Sequence, residues 1–341
     1  MIYIYILLTI IILIFFYCIN HLIKKKEHMS MQNTKLKQIF ENNGYEIDIN
    51  EFTIKKCDDN KNECIEKKYK TKYFNSMKAH DIAKNKPVSN TLFIENNIPV
   101  PKHWIVDNNN KYYYLNEINI QYPCVLKPVD GMQGTDVNTY IKNNQQFDKI
   151  LNKLLNKYSK IMLENQVYGN NYRIFIFNNQ IMDVIEREQP FIIGDGINNV
   201  KHLIEMKNKD QLNKKLFEVK NIDWEYIKEQ GYLEDMIIDK NKKIFITNTI
   251  NFHNGANPVR INLNKIPQIN KDMFIKAHKI IGLECSGIDY MSNDISIPYI
   301  KNNGHIIEIN DMVDTKIHVD ADNGNNPNFL FENIYNSFIG N

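Results

Sequence analysis

Apolar residues recur along this chain with different spacings, and each spacing predicts a different element. Residues 1–23 contain no Lys, Arg, Asp or Glu, and Ile, Leu, Phe and Tyr dominate them. A run of that length can cross a ~30 Å hydrocarbon layer as a helix. Lys24-Lys25-Lys26 follows directly and favours cytoplasmic placement of everything after it. No basic segment precedes the run and no small-residue cleavage site ends it, so it reads as an uncleaved anchor, not a signal peptide.

Residues 24–70 are polar and lysine-rich, with short apolar patches such as Tyr45-Glu-Ile-Asp-Ile49. They read as a juxtamembrane linker leading into a small first unit. Helical character marks 76–86 and 89–96, and Asn97-Ile-Pro-Val-Pro101 then forces extended backbone. Strands are expected at 122–127, 137–141, 161–163, 172–177 and 181–185, with Asn178-Asn179 as a hairpin turn. Ile150, Leu151, Leu154 and Leu155 recur at helical spacing within 147–158. So do Met273, Ala277, Ile280 and Ile281. Two further strands, 285–291 and 305–309, should bring Asp289, Glu308 and Asn310 side by side. Helices interleaved with short strands indicate a mixed α/β chain.

Composition narrows the function classes. The net charge is only +2, with Lys, Asp and Glu scattered throughout, so no basic face argues for nucleic acid. The five cysteines are spread out, with no zinc-ligand spacing between any pair, which points to free thiols in a reducing compartment. No Ser/His/Asp or Cys/His set suggests a side-chain nucleophile.

The candidate chemistry lies in two short segments. Glu308-Ile-Asn310, with Gly287-Ile-Asp289, supplies carboxylate and carboxamide oxygens, which suit a hard ion such as Mg²⁺ or Mn²⁺. Glu308 and Asn310 are two apart on a strand and so share a face. Lys127-Pro128 and the loop Asp130-Gly-Met-Gln-Gly-Thr135 supply an ammonium at a strand end and glycines, Gly131 and Gly134, whose amides can approach phosphate oxygens. The chain thus reads as an ATP–Mg²⁺ protein, although it has neither GxxxxGK[ST] nor GxGxxG.

Further blocks follow in a fixed order: Asn85-Lys86, Tyr122-Pro-Cys-Val-Leu-Lys-Pro128, Leu163-Glu164 with Gly169-Asn-Asn-Tyr-Arg173, and Arg187-Glu-Gln-Pro190. Ile193-Gly-Asp-Gly196, Asn251-Phe-His-Asn-Gly255, Ile307-Glu-Ile-Asn310 and His318 complete them. From about residue 73 to 318 the chain resembles the ATP-grasp superfamily, above all the ATP-grasp domain of cyanophycin synthetases and bifunctional glutathione synthetases. The resemblance implies an α+β fold in which two subdomains grip ATP, here behind an N-terminal transmembrane helix. The expected organisation is an anchor at 1–23, a linker and first unit at 24–70, and an N-terminal subdomain at 71–120. A lid at 121–190 and a C-terminal subdomain with the Mg²⁺ site at 191–341 complete it.

The resemblance also implies roles. Lys127 and Lys86 match phosphate-binding lysines. Glu164, Asn165, Gln166 and Val167 match the segment lining adenine. Asn171 stands where many relatives bind ribose with an acidic residue. Asp289, Glu308 and Asn310 resemble the metal set, and Arg187 and Lys127 would stabilise the transferred phosphoryl. The implied reaction joins a small-molecule or peptide carboxylate to an amine through an acyl phosphate, releasing ADP. A homodimer is compatible with it.

Two departures fall on the acceptor side. Thr247 replaces an arginine, and Asp311-Met-Val-Asp314 replaces a Pro-Gly turn. Arg260 is the candidate to restore the missing charge. Phosphotransfer to a hydroxyl, or a nucleotide-binding scaffold whose acceptor site has decayed, remain open alternatives at the level of sequence.

Overall fold

The computed structural model describes residues 38–39, 41–48, 53–58, 63–68, 75–110, 120–131, 135–214, 216–311, 313–321 and 329–339. The expected anchor and Gly134 lie outside them. Among the described residues no helix is long and apolar enough to cross a membrane. The chain divides into two units, Tyr73–Leu330 and a smaller one of Met1–Lys72 with Phe331–Asn341.

The smaller unit contains an antiparallel meander of β1 (Glu46–Asp48), β2 (Thr53–Asp58) and β3 (Glu63–Lys68), in that order. Within it the ring of Tyr45 meets Tyr335 edge-on at 5.8 Å.

The larger unit begins with α1 (Met77–Lys84) and α2 (Lys86–Glu95). Ser76 caps α1 by accepting the Ala79 amide, and Asn85 ends α1 and caps α2 by accepting Val88 N–H. Pro87, at the start of α2, sits where its missing N–H costs nothing. This junction fixes Lys86 at the first position of α2.

A four-stranded antiparallel sheet follows, built from β4 (His103–Val106), β5 (Cys124–Pro128), β6 (Asn138–Ile141) and β7 (Ile161–Asn165), in the order β4-β7-β5-β6. Helix α3 (Asn144–Leu155) covers one face. Cys124, Leu126, Ile141, Ile161 and Leu163 pack there against Phe147, Leu151 and Leu154. Strand alternation sends Val125, Lys127, Met162 and Glu164 to the other face.

A five-stranded antiparallel sheet, β12-β9-β8-β13-β14, carries the rest of the framework. Its strands are β8 (Asn170–Phe177), β9 (Gln180–Glu188), β12 (Asn257–Arg260), β13 (Cys285–Ser292) and β14 (His305–Asn310). Asn178 and Asn179, at φ 52° and 60°, form the expected turn between β8 and β9. Two-residue hairpins need positive φ at both centres, which Asn tolerates. Between β9 and β12 lie the small pair β10 (Phe191–Ile193) and β11 (Lys243–Phe245), with α4 (Val200–Asn213) and α5 (Trp224–Glu229). Helix α6 (Gln268–Ile281) precedes β13, and α7 (Lys316–Asp320) and α8 (Phe329–Ile339) follow β14.

One face of the five-stranded sheet is apolar. Tyr172, Ile174, Ile176, Val184, Ile288, Tyr290, Ile306 and Ile309 pack with Met273, Phe274, Ala277 and Ile281 of α6. The alternating positions form the opposite face, where charged residues stand among buried Phe175 and Ile185.

This topology moves the expected subdomain boundary. Strands β8 and β9 were expected within a lid of 121–190, but they pair with β12 and β13. The four-stranded sheet therefore ends at Asn165. Conversely β4, expected in the segment before the lid, pairs with β7. Both shifts have one cause: antiparallel partners far apart in sequence are chosen by side-chain packing, which local periodicity does not encode. Residues 331–341 also group with the smaller unit, not with 191–330.

Candidate nucleotide and metal site

Register assembles the polar face. Glu308 lies opposite Asp289, Asp289 opposite Arg173, Arg173 opposite Ile185, and Ile185 opposite Arg260. Two positions along, Asn310 faces Gly287, Gly287 faces Phe175, and Phe175 faces Asp183. Directly opposed residues point to the same side, so three carboxylates, a carboxamide and two arginines share one face of the sheet.

Asp289 is the hub. Its Oδ1 accepts from Arg173 Nη1 at 2.9 Å and from Arg187 Nη2 at 2.8 Å. Burial favours the neutral acid, yet the Arg187 and Arg173 guanidiniums outweigh it and hold the Asp289 carboxyl below the usual range. Burial likewise pushes Arg187 down, opposed by Asp289. Asn171 Oδ1 accepts Arg187 Nε at 2.6 Å and fixes the plane of that guanidinium. Gly287 leaves room for Arg173: a Cβ there would stand 2.5 Å from the guanidinium carbon.

Lys86 links this surface to the glycine loop. Its Nζ lies 3.3 Å from Glu308 Oε1 and donates to the Gly131 carbonyl at 2.7 Å. On the four-stranded sheet, Lys127 Nζ pairs with Glu164 Oε2 at 2.7 Å, with both side chains under 10% exposed. Glu164 Oε1 is buried and has no hydrogen-bond partner among the described residues. A buried carboxylate oxygen left unpaired is costly, and a ligand donor at that position would satisfy it.

Lys86, Lys127, Arg173 and Arg187 thus face Glu164, Asp289 and Glu308, four cations against three carboxylates, a surplus of one positive charge. Asp289, Glu308 and Asn310 are an all-oxygen donor set on adjacent strands, which fits a hard divalent cation. Among the described residues no group of three or more His, Cys, Asp or Glu side chains could hold a metal ion, so a cation here would need Asn310, water or phosphate oxygens to complete its shell.

Residues 83–196 match the sequence profile of the RimK-like ATP-grasp domain. A third of this chain is therefore similar to an ATP-grasp domain. It is similar to the cyanophycin synthetase of Synechocystis, with 25% identity over 261 residues, covering 72% of this chain and 29% of that protein. It is also similar to the glutathione biosynthesis bifunctional protein GshAB of Clostridium perfringens, with 26% identity over 238 residues, 67% of this chain and 30% of the relative. The chain therefore spans under a third of the length of either. Among solved structures, the bifunctional glutathione synthetase of Pasteurella multocida superposes with a TM-score of 0.56 at 20% identity, over 87% of this chain and 42% of that one. That likeness supports the fold.

Of the residues singled out in the sequence, Lys86, Lys127, Gly131, Glu164 and Arg187 fall within the matched span, and Asp289, Glu308 and Asn310 lie beyond it. Asn165 donates a side-chain N–H to Gln121, and Gln166 accepts the Tyr140 amide. Val167 is buried. Asn171, expected at ribose, instead holds Arg187. Arg173, named in the sequence only as the end of a motif, shares Asp289 with Arg187; its register opposite Asp289 is invisible without the strand pairing.

Arg260 stands on β12, at the edge of the sheet opposite β14. Four interstrand spacings separate β14 from β12, about 19 Å across the sheet, so Arg260 lies far from Glu308 and Asn310. Its Nε meets Asp183 at 3.2 Å, its Nη2 donates to the His318 carbonyl, and the guanidinium lies over Phe329. Asp183 also contacts His318 Nδ1 at 3.1 Å. Arg260 thus belongs to a largely buried Asp183–Arg260–His318 cluster.

The two departures make contacts of their own. Thr247 is buried and its carbonyl accepts Gln189 Nε2. Asp311 pairs with His80 at 2.6 Å and Asp314 with His253 at 3.2 Å. The remaining described thiols, Cys124 and Cys285, are buried, and desolvation pushes each up to about 12, so neither supplies a thiolate near neutral pH.

Proposed function

We propose that this chain is a membrane-tethered, ATP-dependent carboxylate–amine ligase that releases ADP. The observation that carries the reading is the position of Lys86, which touches both the glycine loop at Gly131 and the carboxylate Glu308. A triphosphate bound there would exchange those contacts for its own oxygens. Lys127 at the strand end and the guanidiniums of Arg173 and Arg187 would then meet developing charge on the transferred group. Glu164 Oε1 would accept a hydrogen bond from an N–H of the base, and the segment 164–167 would line it.

A triphosphate brings more negative charge than one surplus cation neutralises, which is why a divalent ion is expected with it. Asp289, Glu308 and Asn310 would hold that ion, and it would supply charge neutralisation at the phosphates. An acceptor carboxylate oxygen attacks the γ-phosphorus, the bond to the ADP oxygen breaks, and an acyl phosphate results. An amine then attacks the acyl carbon, phosphate leaves and the amine nitrogen loses a proton. The relatives are named for synthetase reactions, which supports ligation over phosphotransfer. Small-molecule or peptide acceptors fit equally, and the altered segments around Thr247 and 311–314 would set which one.

ATP with Mg²⁺ is expected to raise the melting temperature of the protein, because a ligand that binds only the folded state stabilises it by mass action. At a hundred times the dissociation constant the gain is about 2.7 kcal/mol. Thermal shift with ATP, with Mg²⁺, and with both measures it; no response to the pair would remove the core of this proposal. ADP and phosphate release with pooled amino acids and peptides then tests ligation.

The anchor belongs to the same proposal. Residues 1–23 would hold the protein in a membrane with residues 24–341 on the cytoplasmic side, where ATP is available. On sealed membranes, protease added to the cytoplasmic face should digest the ATP-grasp domain. Its survival would reverse the orientation, and recovery of the full chain in the wash of an alkaline extraction would remove the anchor.

A further inference from the structure

Among the described non-glycine residues with positive φ, all but Tyr140 are Asn or Asp. Asn and Asp enter the left-handed region readily, whereas a bulky aromatic does so only under constraint. The constraint is a bulge in β6. Asn138 lies opposite Leu126 and Ile141 opposite Cys124, so Thr139 and Tyr140 together oppose the single residue Val125. Bulges re-aim side chains, and this one sits beside the site.

What Tyr140 gains is a place against the 164–168 segment. Its N–H donates to Gln166 Oε1 at 3.0 Å, and Gln166 Nε2 in turn donates to the Val167 carbonyl at 2.8 Å. The Tyr140 ring meets Tyr168 at 6.0 Å between centroids with the planes 63° apart, forming a corner. Tyr168 is 46% exposed although its neighbour Val167 is buried. The buried, half-unpaired Glu164 lies in the same segment. An aromatic corner on the same short segment as an unsatisfied carboxylate oxygen suits a flat heteroaromatic group carrying an N–H donor.

We propose that Tyr140 and Tyr168 form an aromatic wall that stacks against the base of the bound nucleotide, and that the strained bulge serves to aim Tyr140 there. The inference rests on the nucleotide reading above. It predicts that stability and binding move in opposite directions at one residue, because the strain serves the ligand.

Calorimetry and melting of the full chain test it with Tyr140→Gly, Tyr140→Phe and Tyr168→Ala. Glycine adopts positive φ freely, so Tyr140→Gly should melt at or above the wild-type temperature. Its dissociation constant for ATP–Mg²⁺ should rise about tenfold, the scale of one lost base–aromatic stack, while tripolyphosphate–Mg²⁺, which has no base, binds as in wild type. Tyr168→Ala should follow it, and Tyr140→Phe should bind ATP normally. Unchanged ATP affinity in Tyr140→Gly, or equal losses for ATP and tripolyphosphate, overturns the wall alone. Wild-type protein that binds neither ligand overturns the nucleotide reading beneath it.

Discussion

Glu308→Gln is expected to lower turnover about a hundredfold or more while nucleotide binding survives. The substitution keeps the shape of the side chain and removes one charge from the donor set opposite Asp289. A hundredfold loss corresponds to about 2.7 kcal/mol of transition-state stabilisation, a magnitude in keeping with a metal held by one ligand charge fewer. Binding should persist because Lys127 and Glu164 lie on a different sheet and, with the segment that follows it, are untouched. The measurement is ADP release against ATP affinity in the same preparation, once an acceptor is found. Full activity would mean that the metal is held elsewhere than on β14.

Asp289→Asn should be the most destabilising single change in the site. Asp289 is the charge partner of both Arg173 and Arg187, whose side chains are 9% and 15% exposed. Removing the shared carboxylate leaves two close guanidiniums unpaired in a poorly solvated place. Breaking a buried pair in this way costs about 3–5 kcal/mol. The effect should depend on pH with a definite sign. The folded carboxyl titrates below its unfolded value, so its stabilisation is complete above the unfolded aspartate pKa, about 3.9, and disappears as the pH falls through the folded value. The gap in melting temperature between wild type and Asp289→Asn should therefore be constant from about pH 5 upward and close below pH 4. A variant as stable as wild type at pH 7 would show that the arginines are solvated and that Asp289 is no hub. Added polyphosphate should restore part of the loss, since it offers those guanidiniums another anion.

The contrast between Arg173 and Arg260 shows where sequence reasoning reached its limit. Both arginines alternate with apolar residues on strands, and nothing local separates them. Arg173 falls opposite Asp289 because β8 pairs with β13 in one register, and Arg260 falls beside Asp183 because β12 closes the far edge of the sheet. A shift of one residue in either pairing would turn these side chains to the opposite face. Tyr140 was illegible for a related reason: a bulge is a mismatch between two strands, not a property of either.

The sequence by itself determined the elements and the inventory of chemical groups. The apolar spacing in α3 and α6, the Asn178-Asn179 turn, the two-residue interval from Glu308 to Asn310 and the lysine at the end of β5 all follow from periodicities within a single element, where neighbours in sequence are neighbours in space. Only the tertiary structure decided that β8 and β9 leave the four-stranded sheet, that Asp289 serves two arginines, and that Lys86 meets Glu308 more than two hundred residues away. Those partnerships depend on which apolar faces bury against each other, and burial is settled by the whole fold at once.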